Sequence, residues 1–189
     1  MKILVINAGS SSIKYQLMDL EDVHHCTLLT SGLVEKIGEP KGRVNHKIFA
    51  GGKEQKFTEE VHLASHREGM ARVVALLTDR EKGVIRDAAE IHGVGHRVLS
   101  CGEIYSDTVR VDAKVKQTIR DFFPLGPLHN PPNLMGIEVA EEFFPKAPQV
   151  AVFDTAFHQT MPPKAFLYAV PYEWYVKYRL RKYGFHGTS

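Results

Sequence analysis

Ile3-Leu4-Val5-Ile6-Asn7-Ala8-Gly9-Ser10-Ser11-Ser12-Ile13-Lys14 decides how the chain folds. Ile3 to Ile6 is a continuous β-branched-rich run, the pattern of a strand covered on both faces, and the Asn-Ala-Gly-Ser-Ser-Ser stretch ends it abruptly. Ile13, Tyr15 and Leu17 then alternate with Lys14, Gln16 and Met18, so a second strand folds back on the first as a hairpin. Strand-like pieces follow at 26–33 and 43–49, and the opening third reads as a β-meander. From Val61 the period changes. Leu63, Met70, Val74 and Leu77 fall on one face of a helix that ends before Lys82-Gly83.

Beyond this point helices and strands alternate. Ile91 to Val98 reads as a buried strand. Asp112 is placed to cap a helix with Val115, Ile119, Phe122 and Phe123 on one stripe, and Pro124-Leu125-Gly126-Pro127 stops it. Asn130 before Pro131 has the cap-then-proline signature of a new helix, with Leu134, Ile137, Ala140 and Phe144 facing inward. Gln149 to Phe153 is a buried strand that delivers Asp154 at its carboxyl end, the edge where open α/β sheets place ligands. A meander followed by alternating helices and strands makes the fold class α/β with a mixed sheet.

The 189 residues bound the chain at one large domain or two small ones, and 43% hydrophobic composition suffices for a buried core. A formal charge of +2 is too small a surplus for a nucleic-acid or membrane footprint, so any anion must be recognised locally. The N-terminus has only a four-residue apolar run, too short for a secretory signal, and no stretch is long enough to span a membrane. Cys26 and Cys101 lie far apart without metal-like spacing. Free thiols and a cytoplasmic location are the expectation.

Chemistry can sit in few places. Ser10, Ser11 and Ser12 add three hydroxyls to backbone N–H groups between two strands, which suits an anion; the same residues are also what ordinary turns use. Lys14 could add positive charge over a phosphate, or be solvated. The Walker pattern of P-loop NTPases is absent. Arg97 ends an apolar strand, where an unpaired guanidinium is costly, so it requires a carboxylate or a substrate as partner. Asp154 poses the same question with opposite sign, as a helix cap or as a metal-orienting or catalytic carboxylate. His129, His158 and His186 sit in rigid or polar turns after apolar stretches. His62 and His66 have helical spacing but lack the Glu of a zincin, and a solvated face explains them better than a metal.

Five motifs together resemble the acetate kinase family: ILVINAGSSSIK at 3–14, GHRV at 95–98, PLHNPPN at 127–133, VAVFDTAFHQTMP at 150–162 and YGFHGTS at 183–189. The resemblance runs end to end and implies the actin-like, ribonuclease-H-like fold shared with sugar kinases and Hsp70. It implies that Asn7 helps hold Mg²⁺ and that Lys14, with Ser10, Ser11, Ser12 and His129, contacts the phosphates of ATP or ADP. Arg97 would bind the carboxylate or phosphoryl group, with Asp154 as catalytic acid and His186 as transition-state stabiliser. Leu99, Leu128 and Phe185 would line an apolar pocket for the methyl group. The expected reaction is reversible phosphoryl transfer from ATP to acetate, giving acetyl phosphate. Residues 1–189 would be the N-terminal substrate domain, with the nucleotide domain absent, so that this chain alone is inactive and the intact enzyme is a homodimer.

One departure bears on selectivity. The family usually continues its Arg motif with Val-Val-His-Gly-Gly, whereas here Val98-Leu99-Ser100-Cys101-Gly102 follows. Leu at position 99 adds a methylene to the pocket wall, worth about 1 to 3 kcal/mol, and predicts a preference for acetate over propionate. Acetate has a pKa near ~4 to 5 and needs no general base at neutral pH, so Asp154 is expected to orient Mg²⁺ or its water shell. The alternatives are a propionate or butyrate kinase, or a non-catalytic anion-binding half-domain.

Overall fold

The computed structural model describes residues 1–22 and 24–188. Ser189, the last residue of the closing motif, lies outside the described residues. Among the described residues, eight strands form one sheet in the order β5 (Lys53–Val61), β4 (Gly42–Ala50), β3 (Cys26–Glu35), β2 (Ser12–Leu20), β1 (Lys2–Gly9), β6 (Ile91–Val98), β8 (Gln149–Phe153) and β7 (Val109–Arg110). β1 (Lys2–Gly9) and β2 (Ser12–Leu20) pair antiparallel around the two-residue loop Ser10-Ser11, as the opening sequence requires. β3 (Cys26–Glu35) and β4 (Gly42–Ala50) extend the meander. β6 (Ile91–Val98) and β8 (Gln149–Phe153) run parallel to β1, and the short β7 (Val109–Arg110) borders β8. The α/β expectation holds, with an antiparallel meander joined to a parallel half.

The meander has one strand more than the sequence reading gives it. β5 (Lys53–Val61) pairs with β4 through a Gly51-Gly52 turn whose residues both have positive φ, 57° and 73°. The first helix therefore starts later than Val61. α1 (His66–Leu77) begins after Ser65, whose hydroxyl caps the Glu68 N–H. α2 (Ala113–Asp121) is capped by Asp112 as expected, its carboxylate accepting from the Val115 N–H at 2.8 Å.

α3 (Asn130–Phe143) follows at the predicted place, but Asn130 is inside the helix rather than its cap. Its buried side chain instead accepts from the Ser100 N–H and donates to the Ser100 and Ile119 carbonyls. His66 is also not on a solvated face. It is 7% exposed and donates to the Gly9 carbonyl at 2.6 Å, so it fastens the end of β1.

The helices cover the sheet face that carries Leu4, Ile6 and Ala8 of β1, Ile13, Tyr15 and Leu17 of β2, and Val94 and Val98 of β6. Strand alternation then puts Val5, Asn7 and Arg97 on the opposite face. Within the covered side, His46 accepts from the Tyr15 hydroxyl at 2.6 Å on Nδ1 and donates to the Lys82 carbonyl at 2.9 Å from Nε2.

After β8 the chain contributes little to the core. α4 (Pro163–Phe166) and α5 (Tyr172–Tyr178) lie on the outside, with Tyr172, Trp174, Val176 and Tyr178 exposed. Glu103 ties this segment to the body by accepting from Tyr175, Arg179 and Arg181.

Candidate active site

The three parallel strands end at one edge of the sheet, and each delivers a polar group there. Asn7 comes from β1, Arg97 from β6 and Asp154 from the residue after β8. The loops beyond these ends enclose a cleft of about 520 Å³ lined by Asn7, Arg97, Leu99, Leu128, His129, Asp154, Phe185 and His186, together with Leu125 and Asn133. Eight residues singled out from the sequence thus meet around one space. The apolar members are more open to solvent than core residues would be: Leu128 is 74% exposed and Phe185 45%. Exposed leucine and phenylalanine facing a polar floor form a small amphipathic site rather than part of the core.

Arg97 resolves the question its sequence posed. Its Nη2 lies 2.6 Å and its Nε 3.1 Å from Oδ2 of Asp154, and Nε is 3.0 Å from Oδ1. The Asp154 side chain is 1% exposed while that of Arg97 is 35% exposed, so the carboxylate is the buried anchor and the guanidinium reaches outward. Thr188 donates a further hydrogen bond to Asp154 Oδ1. Burial works to raise the Asp154 pKa, but the hydrogen bonds from Arg97 and Thr188, with the charge of Arg97, outweigh it and hold the carboxyl below its ordinary value. The same pairing raises the Arg97 pKa.

His186 lies beside them, with Nδ1 3.2 Å from Arg97 Nη2. Guanidinium nitrogens only donate, so Nδ1 accepts, the ring is neutral and its proton sits on Nε2. His186 also adopts φ 59°, a left-handed conformation costly for a residue with a Cβ. Its neighbours hold it there: Gly187 donates to the Asp154 carbonyl at 3.1 Å and His158 donates to the Phe185 carbonyl at 3.0 Å.

The other candidate phosphate ligands lie elsewhere. Ser10 and Ser11 are exposed at the hairpin tip, Ser12 is half-buried, and none lines the cleft. Lys14 pairs directly with Asn7 across β1 and β2, but it is exposed and lines a neighbouring groove with Arg43, Lys47 and Lys56. The hairpin carbonyls are engaged from within: Ala8 accepts from Asn133, Gly9 from His66 and Ser11 from Ile37. Sequence reading missed Asn133 and Thr188 as site residues, although both lie inside motifs it quotes. Among the described residues no group of three or more His, Cys, Asp or Glu side chains is arranged to hold a metal ion. No helix among them is long and apolar enough to cross a membrane.

The chain is 58% identical along its whole length to an acetate kinase of Desulfovibrio desulfuricans, of which it covers 46%. A crystal structure of Porphyromonas gingivalis acetate kinase superposes with a TM-score of 0.91 at 39% identity, over all of this chain and 46% of that one. A propionate kinase from Francisella tularensis superposes with a TM-score of 0.88 at 37% identity, over all of this chain and again 46% of that one. The chain therefore spans about half the length of the relatives it matches. The expected actin-like α/β fold is the one these structures share. The sequence profile of the acetokinase family matches residues 2–189, and with the cleft at the strand ends this places the chain in that family.

Proposed function

We propose that the chain is the substrate-binding half of a two-domain kinase that transfers the γ-phosphoryl group of ATP reversibly to acetate, giving acetyl phosphate and ADP. One observation carries the reading: a guanidinium fixed by a buried carboxylate faces a small cleft whose other wall is Leu99, Leu128 and Phe185. A short carboxylic acid fits that division, its charged end on Arg97 and its methyl group on the apolar wall. Arg97 Nη1 has no protein partner among the described residues, which leaves it for a substrate oxygen.

The ionised acid needs no base, and the transferring phosphoryl group needs positive charge and donors instead. Arg97 supplies the charge, and the Nε2–H of His186 supplies a neutral donor beside it. Asp154, held ionised, is poorly suited to give up a proton. It positions Arg97 and offers a negative charge to a cation's water shell.

A magnesium ion suits this donor set, because Mg²⁺ keeps several waters and takes few protein oxygens alongside substrate phosphates. The Asn7 amide oxygen and the Asp154 carboxylate are the groups that would face it. The ion would neutralise charge on the phosphates. Lys14 and the hairpin serines would contact the nucleotide phosphates from outside the cleft, and His129, which lines it, would join them. The intact enzyme would work as a cytoplasmic homodimer.

The test is acyl phosphate formation by the full-length protein with ATP and Mg²⁺, trapped with hydroxylamine. Arg97→Ala should lower kcat/KM about a hundredfold, the loss of one transition-state donor at roughly 3 kcal/mol. Leu99→Val should move the preference about tenfold from acetate toward propionate. Residues 1–189 alone should be inactive, and turnover by them would refute the two-domain reading. Absence of product from acetate, propionate and butyrate would refute the kinase itself. The similarity to a propionate kinase supports the second reading, a propionate enzyme, which the same comparison of acids decides.

A further inference from the structure

We infer that Asn133 is a positioning residue that sets the width of the cleft by clamping its two polar walls to one another. It lies on the first turn of α3, is 7% exposed, and bridges the ends of two strands that pair along their length. Its Oδ1 accepts from the Leu99 N–H at 3.0 Å, just past the end of β6, and its Nδ2 donates to the Ala8 carbonyl at 2.8 Å, at the end of β1. Leu99 follows Arg97 by two residues, and Ala8 follows Asn7 directly. A single amide therefore fixes the backbone behind both groups on which the proposed chemistry depends.

Asparagine is the side chain the place requires. One bond needs an acceptor and the other a donor, on adjacent atoms of a short, rigid group. Aspartate keeps only the acceptor and sets a carboxylate against the Ala8 carbonyl. Leucine keeps neither and leaves two buried backbone groups without partners. Asn130, one turn earlier and fully buried, bonds to Ser100 and Ile119 but never reaches β1. It secures the loop after β6, whereas Asn133 bonds to the ends of both β1 and β6.

The role rests on the proposed phosphoryl transfer for its kinetic consequence, but its geometry can be measured without it. Asn133→Asp and Asn133→Ala are made in the full-length protein, and crystal structures of both are compared with the wild type. The Asn7 to Arg97 Cα separation should widen by about 1 Å in each. In turnover with acetate, a displacement of that size should lower kcat about a hundredfold while changing KM for acetate less than fivefold. Asn133→Gln, which keeps both bonding atoms, should recover part of the rate. An unchanged separation in both variants overturns the inference whether or not the enzyme phosphorylates acetate. So does an unchanged kcat in an enzyme that is active. A wild type without acyl kinase activity refutes the proposed function only, and the separation still decides the clamp.

Discussion

Asp154 has both carboxylate oxygens occupied by Arg97 and Thr188, and that fixes how acid should act on the molecule. Its folded pKa lies below the ordinary value of 3.8, so the stability it contributes is complete above that pH and disappears as pH falls through the folded value. His96 acts earlier. Its ring, 3% exposed and bonded to Gln149 at 2.7 Å, has its pKa pushed down to about 4 from 6.5 by burial, against the opposing effects of Gln149 and Glu141. The unfolded chain therefore takes up a proton below pH 6.5 that the folded chain refuses. Stability from this residue is whole above that pH and declines as pH drops toward about 4, by roughly 1.4 kcal/mol per pH unit. Urea midpoints measured at pH 7 and pH 5 should show the decline, and His96→Gln should flatten it. At this scale the sequence announced that Arg97 and Asp154 each needed a partner. It could not announce that they would choose one another, because they stand 57 residues apart and only the parallel pairing of β6 with β8 joins them.

Packing between elements is close where α3 crosses the end of β1. A Cβ added at Gly136 would come within 2.5 Å of the Ala8 Cβ, so α3 lies as close to the strand as two backbones permit. In an open helix, Gly→Ala gains about 1 kcal/mol, but here the overlap should reverse the sign and cost about 1 to 3 kcal/mol. Thermal unfolding of Gly136→Ala tests this, and adding Ala8→Gly should restore most of the loss. Element boundaries were legible wherever burial imposed a period. β5 escaped notice because it is an edge strand: Lys53–Val61 carries charged residues along most of its length and no buried one. The Gly51-Gly52 pair was its readable signal, as a two-residue turn joining two strands of equal length. Asn130 was misread for a related reason. Asparagine before proline has the chemistry of a cap, and a competing donor to its amide oxygen, the Ser100 N–H, is invisible until the fold brings it near.

Among the described residues, the two hydrophobic clusters contain no buried residue beyond Phe153, while the segment after it exposes Tyr168, Tyr172, Trp174, Val176 and Tyr178. Exposed aromatic residues grouped in this way suit a contact surface. Under the proposed two-domain organisation the other half of the protein covers it. Trp174 is the sole tryptophan and is 47% exposed, which makes it a reporter. Its fluorescence in residues 1–189 should be red-shifted and readily quenched by iodide, and in the full-length protein blue-shifted and protected. Equal quenching in both would count against the covering. The overall fold was legible because one opening hairpin and one parallel strand fix the sheet order. The distribution of exposed aromatics was not, since tyrosine and tryptophan spaced along a helix read the same whether they face a core or a partner.

Glu103 gathers Tyr175, Arg179 and Arg181 onto a single carboxylate in the loop that follows the Arg97 strand. A displacement of the outer helices would thereby reach the carboxylate of Glu103, six residues along the chain from the guanidinium proposed to hold the substrate.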